Sequence, residues 1–224
     1  MSVEWKKSPF FCIFMIYKSL RFNIHYFPLK QALQFPVLIS PNVILKYLKG
    51  TVQLQGSVKF GQIKIGFGDI AVFDRVRSKA MWSVQGKVIF RGNANIGHSV
   101  RISVQKSGIL TFGKDIVINA ETIIVCRKSI MFGANDLISW QCMITDTDIH
   151  SIHENGERIN ADRPVILGDR VWVGSRVNIL KGTDIANGCV IGAGSTVTGK
   201  LDTENSIYVG TPPKVVKNNI TWIQ

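Results

Sequence analysis

Acidic residues are scarce in this chain. Among 224 residues, 15 are Asp or Glu against 27 Lys or Arg, a formal net charge of +12, and the resulting field favours anionic partners. Nucleic acid, anionic lipid and the phosphates of a cofactor all fit that balance, and so does a basic surface with no dedicated partner. Cysteine is scarcer still: Cys12, Cys126, Cys142 and Cys189 are far apart and form no CxxC pair. That spacing excludes a zinc-finger pattern and a disulfide framework, and it fits a reducing cytosol. Histidine is limited to His25, His98, His150 and His153, with the first two far upstream, so three imidazoles on one metal ion are not expected. Long apolar runs are missing as well. Phe10 to Tyr17 follows Lys6 and Lys7 but is too short to span a bilayer, and Lys18, Leu20 and Arg21 follow it where a small-residue cleavage site would stand. A non-cleaved, cytoplasmic chain is expected.

The hydrophobic fraction of 46% suffices for one substantial core and a small appended element. Between Arg21 and Phe35 the aromatics Phe22, Tyr26 and Phe27 interleave with Arg21 and Lys30. Two readings stand: a small N-terminal lobe packed on the main domain, which is favoured, and peripheral contact with an acidic membrane.

A repeat of six residues organises the rest. Leu167, Val173, Ile179, Ile185, Ile191 and Val197 each follow the last by six, and the positions two before them are Val165, Val171, Val177, Thr183, Cys189 and Ser195, all small or β-branched. Neither the helical period nor two-residue alternation sustains both registers for so long. Six residues make one short strand and a tight turn, three such units close a coil, and stacked coils bury their inward residues in a column. Gly168, Gly174 and Gly192 follow at a constant phase, where positive φ or close backbone approach is expected. Upstream, Val84, Phe90, Ile96 and Ile102, then Phe112, Ile118 and Ile124, then Phe132, Ile138 and Ile144 keep the spacing between interruptions.

The reading is therefore all-β: a hexapeptide-repeat parallel β-helix over 51–217, a non-repeating N-terminal cap over 1–50 and a C-terminal tail over 218–224. A polar excursion at about 145–164 interrupts it, carrying Asp146, Asp148, His150, His153, Glu154 and Asn155-Gly156. Irregular loops on rigid scaffolds are where binding and catalytic groups collect, so the site is expected there.

Three segments carry a resemblance: Val165-Ile-Leu-Gly-Asp-Arg-Val-Trp-Val-Gly-Ser175, Ile191-Gly-Ala-Gly-Ser-Thr-Val-Thr198 and Val209-Gly-Thr-Pro-Pro-Lys-Val-Val216. With Thr145-Asp-Thr-Asp-Ile-His150 before them, the chain resembles the hexapeptide-repeat acetyltransferases from about Phe112 to Lys217, and within them the capsule and O-antigen O-acetyltransferases, relatives of the galactoside and maltose enzymes. The resemblance implies a left-handed coil, a homotrimer, and acetyl-CoA lying between neighbouring subunits. It implies transfer of an acetyl group to a hydroxyl of a sugar in a surface polysaccharide or its precursor, with no metal and no nucleic acid.

By that resemblance His150 is the general base, a role suited to an imidazole near neutral pH. His153 is its rival, and both histidines could instead serve only the loop. Asp146 or Asp148 would orient the imidazole, or shape the loop through backbone amides. Asn119 matches an acceptor-side asparagine, and Gly174-Ser175 a corner beside the thioester, where a hydroxyl or amide would meet the oxyanion. Trp172 would line the cofactor groove, or pack between coils. Ala193 matches a small position along the pantetheine arm, Thr198 a contact on it, and Lys214 a basic residue near the nucleotide. Family members place a lysine directly after that threonine; here Gly199 intervenes before Lys200. Alternatives to the O-acetyltransferase are a non-catalytic basic binding module and an N-acyltransferase acting on a nucleotide-linked amino sugar.

Overall fold

A computed structural model describes residues 9–68, 70–74 and 78–224; Lys6 and Lys7, with the rest of the first eight residues of the expected cap, lie outside the described residues. The six-residue register closes into a three-sided coil. β1 (Val37–Ile39), β2 (Val43–Leu48) and β3 (Thr51–Leu54) form the first coil, and each founds one face, of nine, seven and seven strands respectively. The bend from the first face to the second is the first corner, that from the second to the third the second corner. Seven full coils stack with parallel pairing, and Ile207–Gly210 begins an eighth, on which Pro213–Lys217 folds back antiparallel.

The columns expected from the repeat are the core. Ile96, Ile118, Ile138, Val173 and Ile191 pair in register on the first face, and Ile102, Ile124, Ile144, Ile179 and Val197 on the second, all buried. On the third face Phe90, Phe112 and Phe132 stack with centroids 4.9 and 5.5 Å apart and nearly parallel planes. Each fully buried side chain of this size contributes about 1.5–3 kcal/mol. The repeat glycines serve close approach only: a Cβ on Gly174 would stand 2.7 Å from the Ala193 nitrogen. The positive φ of the corner falls two residues later, on Arg170, Arg176 and Gly194.

The coils begin earlier than residue 51. β1 pairs with Ile63–Phe67 and β2 with Ala80–Val84, but β2 bulges between Leu45 and Tyr47, which hides the period. Before them, α1 (Pro9–Tyr26) and α2 (Leu29–Ala32) cover the end of the first coil. Ser19 Oγ accepts from the Ile39 amide at 2.8 Å, and the Asn23 side chain bonds both the amide and the carbonyl of Val37, so α1 satisfies the open edge of β1. Phe22 and Phe27 are buried, and Trp82 Nε1 donates to the Tyr26 hydroxyl at 3.3 Å. The aromatics between Arg21 and Phe35 thus pack on the coils. At the other end the expected tail is docked: Trp222 Nε1 donates to the Arg170 carbonyl at 2.9 Å. No helix among the described residues is long and apolar enough to cross a membrane.

Candidate active site

The excursion leaves the second corner of the fifth coil after Met143–Thr145 and returns at Val165–Leu167. Its tip is a hairpin, His153–Glu154 against Glu157–Arg158, turned by Asn155 and Gly156 at φ 51° and 85°. Two successive left-handed residues are what a tight hairpin turn requires.

Asp146 anchors the base of the loop. It is fully buried, and its carboxylate accepts from the amides of Arg127, Lys128 and Ser129 at 2.7, 2.7 and 2.6 Å. Those bonds tie the loop to the neighbouring coil and match the amide-bonding alternative of the two readings for Asp146. Asp148 is exposed, bonds the Lys181 ammonium, and accepts from Asn160 Nδ2 at 2.8 Å. The Lys181 and Asn160 hydrogen bonds hold its carboxyl below the usual range. Both of these bonds engage Oδ2.

His150 sits between these anchors. Its amide donates to the Asp148 carbonyl at 2.7 Å and its own carbonyl accepts from Asn160 Nδ2 at 2.9 Å, while the residue itself is exposed. Ile149, directly before it, has φ 65°, a left-handed conformation that costs a β-branched residue about 1–3 kcal/mol. The strain is held by two hydrogen bonds: the Ile149 amide donates to Thr147 Oγ1 at 2.9 Å and its carbonyl accepts from Arg127 at 3.1 Å. Such over-determined strain is a feature of functional positions. His153 lies farther out, on the hairpin strand opposite Arg158.

Asn160 and Asp162 escaped the sequence reading. Asn160 is buried beneath the loop, and Asp162 accepts from Thr147 Oγ1 at 2.7 Å and Arg158 at 3.1 Å. Their only signal in the sequence was their place at the polar end of the excursion.

The remaining expected residues fall elsewhere. Asn119, Gly174 with Ser175, and Ala193 occupy the first corner of the fourth, sixth and seventh coils; the Gly194 amide donates to the Ser175 carbonyl at 2.9 Å, and Ala193 is exposed. Thr198 lies at the second corner with the excursion, followed by Lys200 at the start of the third face. The second face, roughly 15 Å wide at the rise of a strand, separates the two corners. Trp172, on the first face, donates to Ser139 Oγ at 3.2 Å, and its ring lies 6.0 Å from that of Trp222. Lys214 is exposed on the final antiparallel strand. One chain therefore does not gather these residues at one point. Among the described residues, no cluster of three or more His, Cys, Asp or Glu is placed to hold a metal ion.

Comparison with known proteins bears on this arrangement. The family model described as bacterial transferase hexapeptide (six repeats) matches residues 164–199. A protein of Escherichia coli (strain K12) named "Putative lipopolysaccharide biosynthesis O-acetyl transferase WbbJ" is 30% identical over 142 residues, 59% of this chain and 72% of that one. The polysialic acid O-acetyltransferase of Neisseria meningitidis is 39% identical over 106 residues, 46% of this chain and 49% of the relative, so the match spans about half of that relative's length. The crystal structure of the polySia specific acetyltransferase NeuO shares the fold at a TM-score of 0.53 and 25% identity, over 84% of this chain and 79% of that one.

Proposed function

Since the chain belongs to the hexapeptide-repeat acetyltransferases, we propose that it carries an acetyl group from acetyl-CoA to a hydroxyl of a sugar in a surface polysaccharide or its precursor, with His150 as the general base. The observation that carries the reading is the mounting of His150: an exposed residue on a loop braced from beneath by Asn160, Asp146 and Lys181. Among its relatives, one is named for lipopolysaccharide biosynthesis and another as a polysialic acid O-acetyltransferase.

The chemistry follows from what an alcohol lacks. A sugar hydroxyl is a poor nucleophile until its proton is leaving, and the imidazole of His150 takes that proton as the oxygen attacks the thioester carbonyl carbon. The tetrahedral intermediate places negative charge on the former carbonyl oxygen, where the Ser175 hydroxyl or a corner amide donates. The carbon–sulfur bond then breaks, and the imidazolium returns its proton to the departing CoA sulfur. Asn119 serves the acceptor side. The small, exposed Ala193 leaves the first corner open to the pantetheine arm, with Trp172, Gly174, Thr198, Lys200 and Lys214 along the cofactor.

Because His150 and Ala193 stand at different corners of one chain, the reading takes a homotrimer in which the excursion of one subunit faces the first corner of its neighbour. The donor places the reaction in the cytoplasm. The test is transfer from acetyl-CoA labelled in the acetyl group to host polysaccharide stripped of its esters. Label released by mild alkali is the expected result. Alkali-stable label would mean an amide product and an N-acyltransferase, and no incorporation would contradict acetyl transfer to these glycans.

A further inference from the structure

The N-terminal helix turns polar side chains inward beside Phe22. Its polar side chains Ser19 and Asn23 are buried against β1, where they complete the edge of the first face. Its opposite side presents Phe10, Ile13, Phe14, Tyr17 and Ile24, each more than half exposed. Spacings of three, four and seven residues put these five on one stripe facing away from the protein. A helix whose only role was to close the coil would carry polar residues there.

Charge identifies what the stripe meets. Between residues 9 and 68 the sequence holds seven lysines or arginines and no aspartate or glutamate; among the described residues, every acidic one lies beyond them. Arg21 shares the apolar stripe, and the outer side of β2 continues the mixture with exposed Ile44, Lys46, Tyr47 and Lys49. Between α1 and β2 runs an open groove of about 560 Å³, walled by Tyr17, Leu20, Ile24 and Leu48 together with Arg21 and Lys49. Apolar side chains ringed by cations are the complement of an anionic bilayer, in which rings and aliphatic chains enter the headgroup boundary while lysine and arginine meet lipid phosphates. A second copy of the same face would set Arg21, Lys46 and Lys49 against their own counterparts, which disfavours self-pairing.

We propose that the α1 end of the coil is a membrane-docking surface for anionic lipid, with the outward stripe of α1 lying in the plane of the bilayer interface. This goes beyond the acetyl-transfer reading and does not depend on it. The surface differs from the Arg21 to Phe35 aromatics, whose Phe22 and Phe27 are buried.

The test is co-sedimentation of the full chain with vesicles of phosphatidylcholine alone and of phosphatidylcholine with phosphatidylglycerol, alongside the double variant Ile13→Ser/Phe14→Ser. Binding to the anionic vesicles at least about tenfold stronger than to neutral ones is expected, weakening as salt rises, and the double variant should lose about tenfold of it with an unchanged unfolding temperature. Equal retention by both vesicle types, no retention by either, or undiminished binding of the variant would each overturn the proposal. So would light scattering in which the double variant is a smaller oligomer than the wild type, since a second copy would then cover the stripe.

Discussion

Asn160 carries His150: its side-chain amide donates to the His150 carbonyl at 2.9 Å and to Asp148 Oδ2 at 2.8 Å, and its oxygen accepts from the Ile152 amide at 2.7 Å. Asn160 is buried and His150 exposed, so the bracing lies on the protein side and the histidine is presented outward. Lys181 joins the two anchors by bonding both Asp148 and the Asn160 carbonyl. The bonds fix the backbone from which the His150 side chain projects.

Replacing His150 by alanine should lower kcat by about 10² to 10⁴-fold, the range of general-base catalysis. The loop lies outside the buried columns, so the unfolding temperature and the affinity for acetyl-CoA should stay as they are. His153→Ala should turn over normally. Steady-state kinetics of both variants decide: activity lost in His153→Ala and kept in His150→Ala would move the base to the hairpin.

Asn160→Ala removes three hydrogen bonds beneath the loop and leaves His150 in the sequence but poorly placed. We expect kcat to fall by about 10 to 10²-fold while KM for acetyl-CoA holds, with faster proteolysis confined to 146–164. A normal kcat would mean that the loop does not depend on this bracing.

Asp136 gives a pH signature. Burial pushes its carboxyl up to about 8, against the hydrogen bonds from the Val171 and Gly133 amides, each 2.8 Å. The unfolded chain ionises near 3.8, so as pH rises the unfolded state loses this proton first. The stability tied to the protonated form is whole below about pH 4 and lost as pH rises through about 8, with a slope of at most about 1.4 kcal/mol per pH unit. Urea unfolding between about pH 5 and about pH 8 should show this decline in the wild type and a shallower one in Asp136→Asn. Equal slopes would contradict it.

Ala193→Trp places a large ring on an exposed first-corner position and should weaken CoA binding, read by isothermal titration, with little effect on unfolding. Mixed with His150→Ala chains, it should regain part of the activity through hybrid trimers, because the two residues stand at different corners and complete sites would reassemble between subunits. A fully active monomer would contradict the shared site; trimers without complementation would mean that each chain holds a whole one.

The sequence told more of the fold than of the site. Every residue of the six-residue columns is buried where the period put it, because a repeated inward position is a local property of each coil. The first coil was hidden by the β2 bulge, and the polar inward face of α1 by a pairing with β1 that no local pattern announces. Asp146 illustrates the limit: the sequence left it open between orienting the ring and bonding backbone amides, and its oxygens turn to amides some seventeen to nineteen residues upstream, a distance no local pattern announces. Asn160 carried no signal beyond its place at the polar end of the excursion, because its role depends on how the excursion folds back on itself.

The most direct measurement is mass spectrometry of surface glycans from cells that make the wild-type chain, the His150→Ala chain, or neither. Acetyl transfer with His150 as base predicts sugar residues heavier by one acetyl ester in the first culture alone, with both chains present at equal levels. Ester-bearing glycan in the His150→Ala culture at the wild-type level, or its absence from the wild-type culture, would contradict the account.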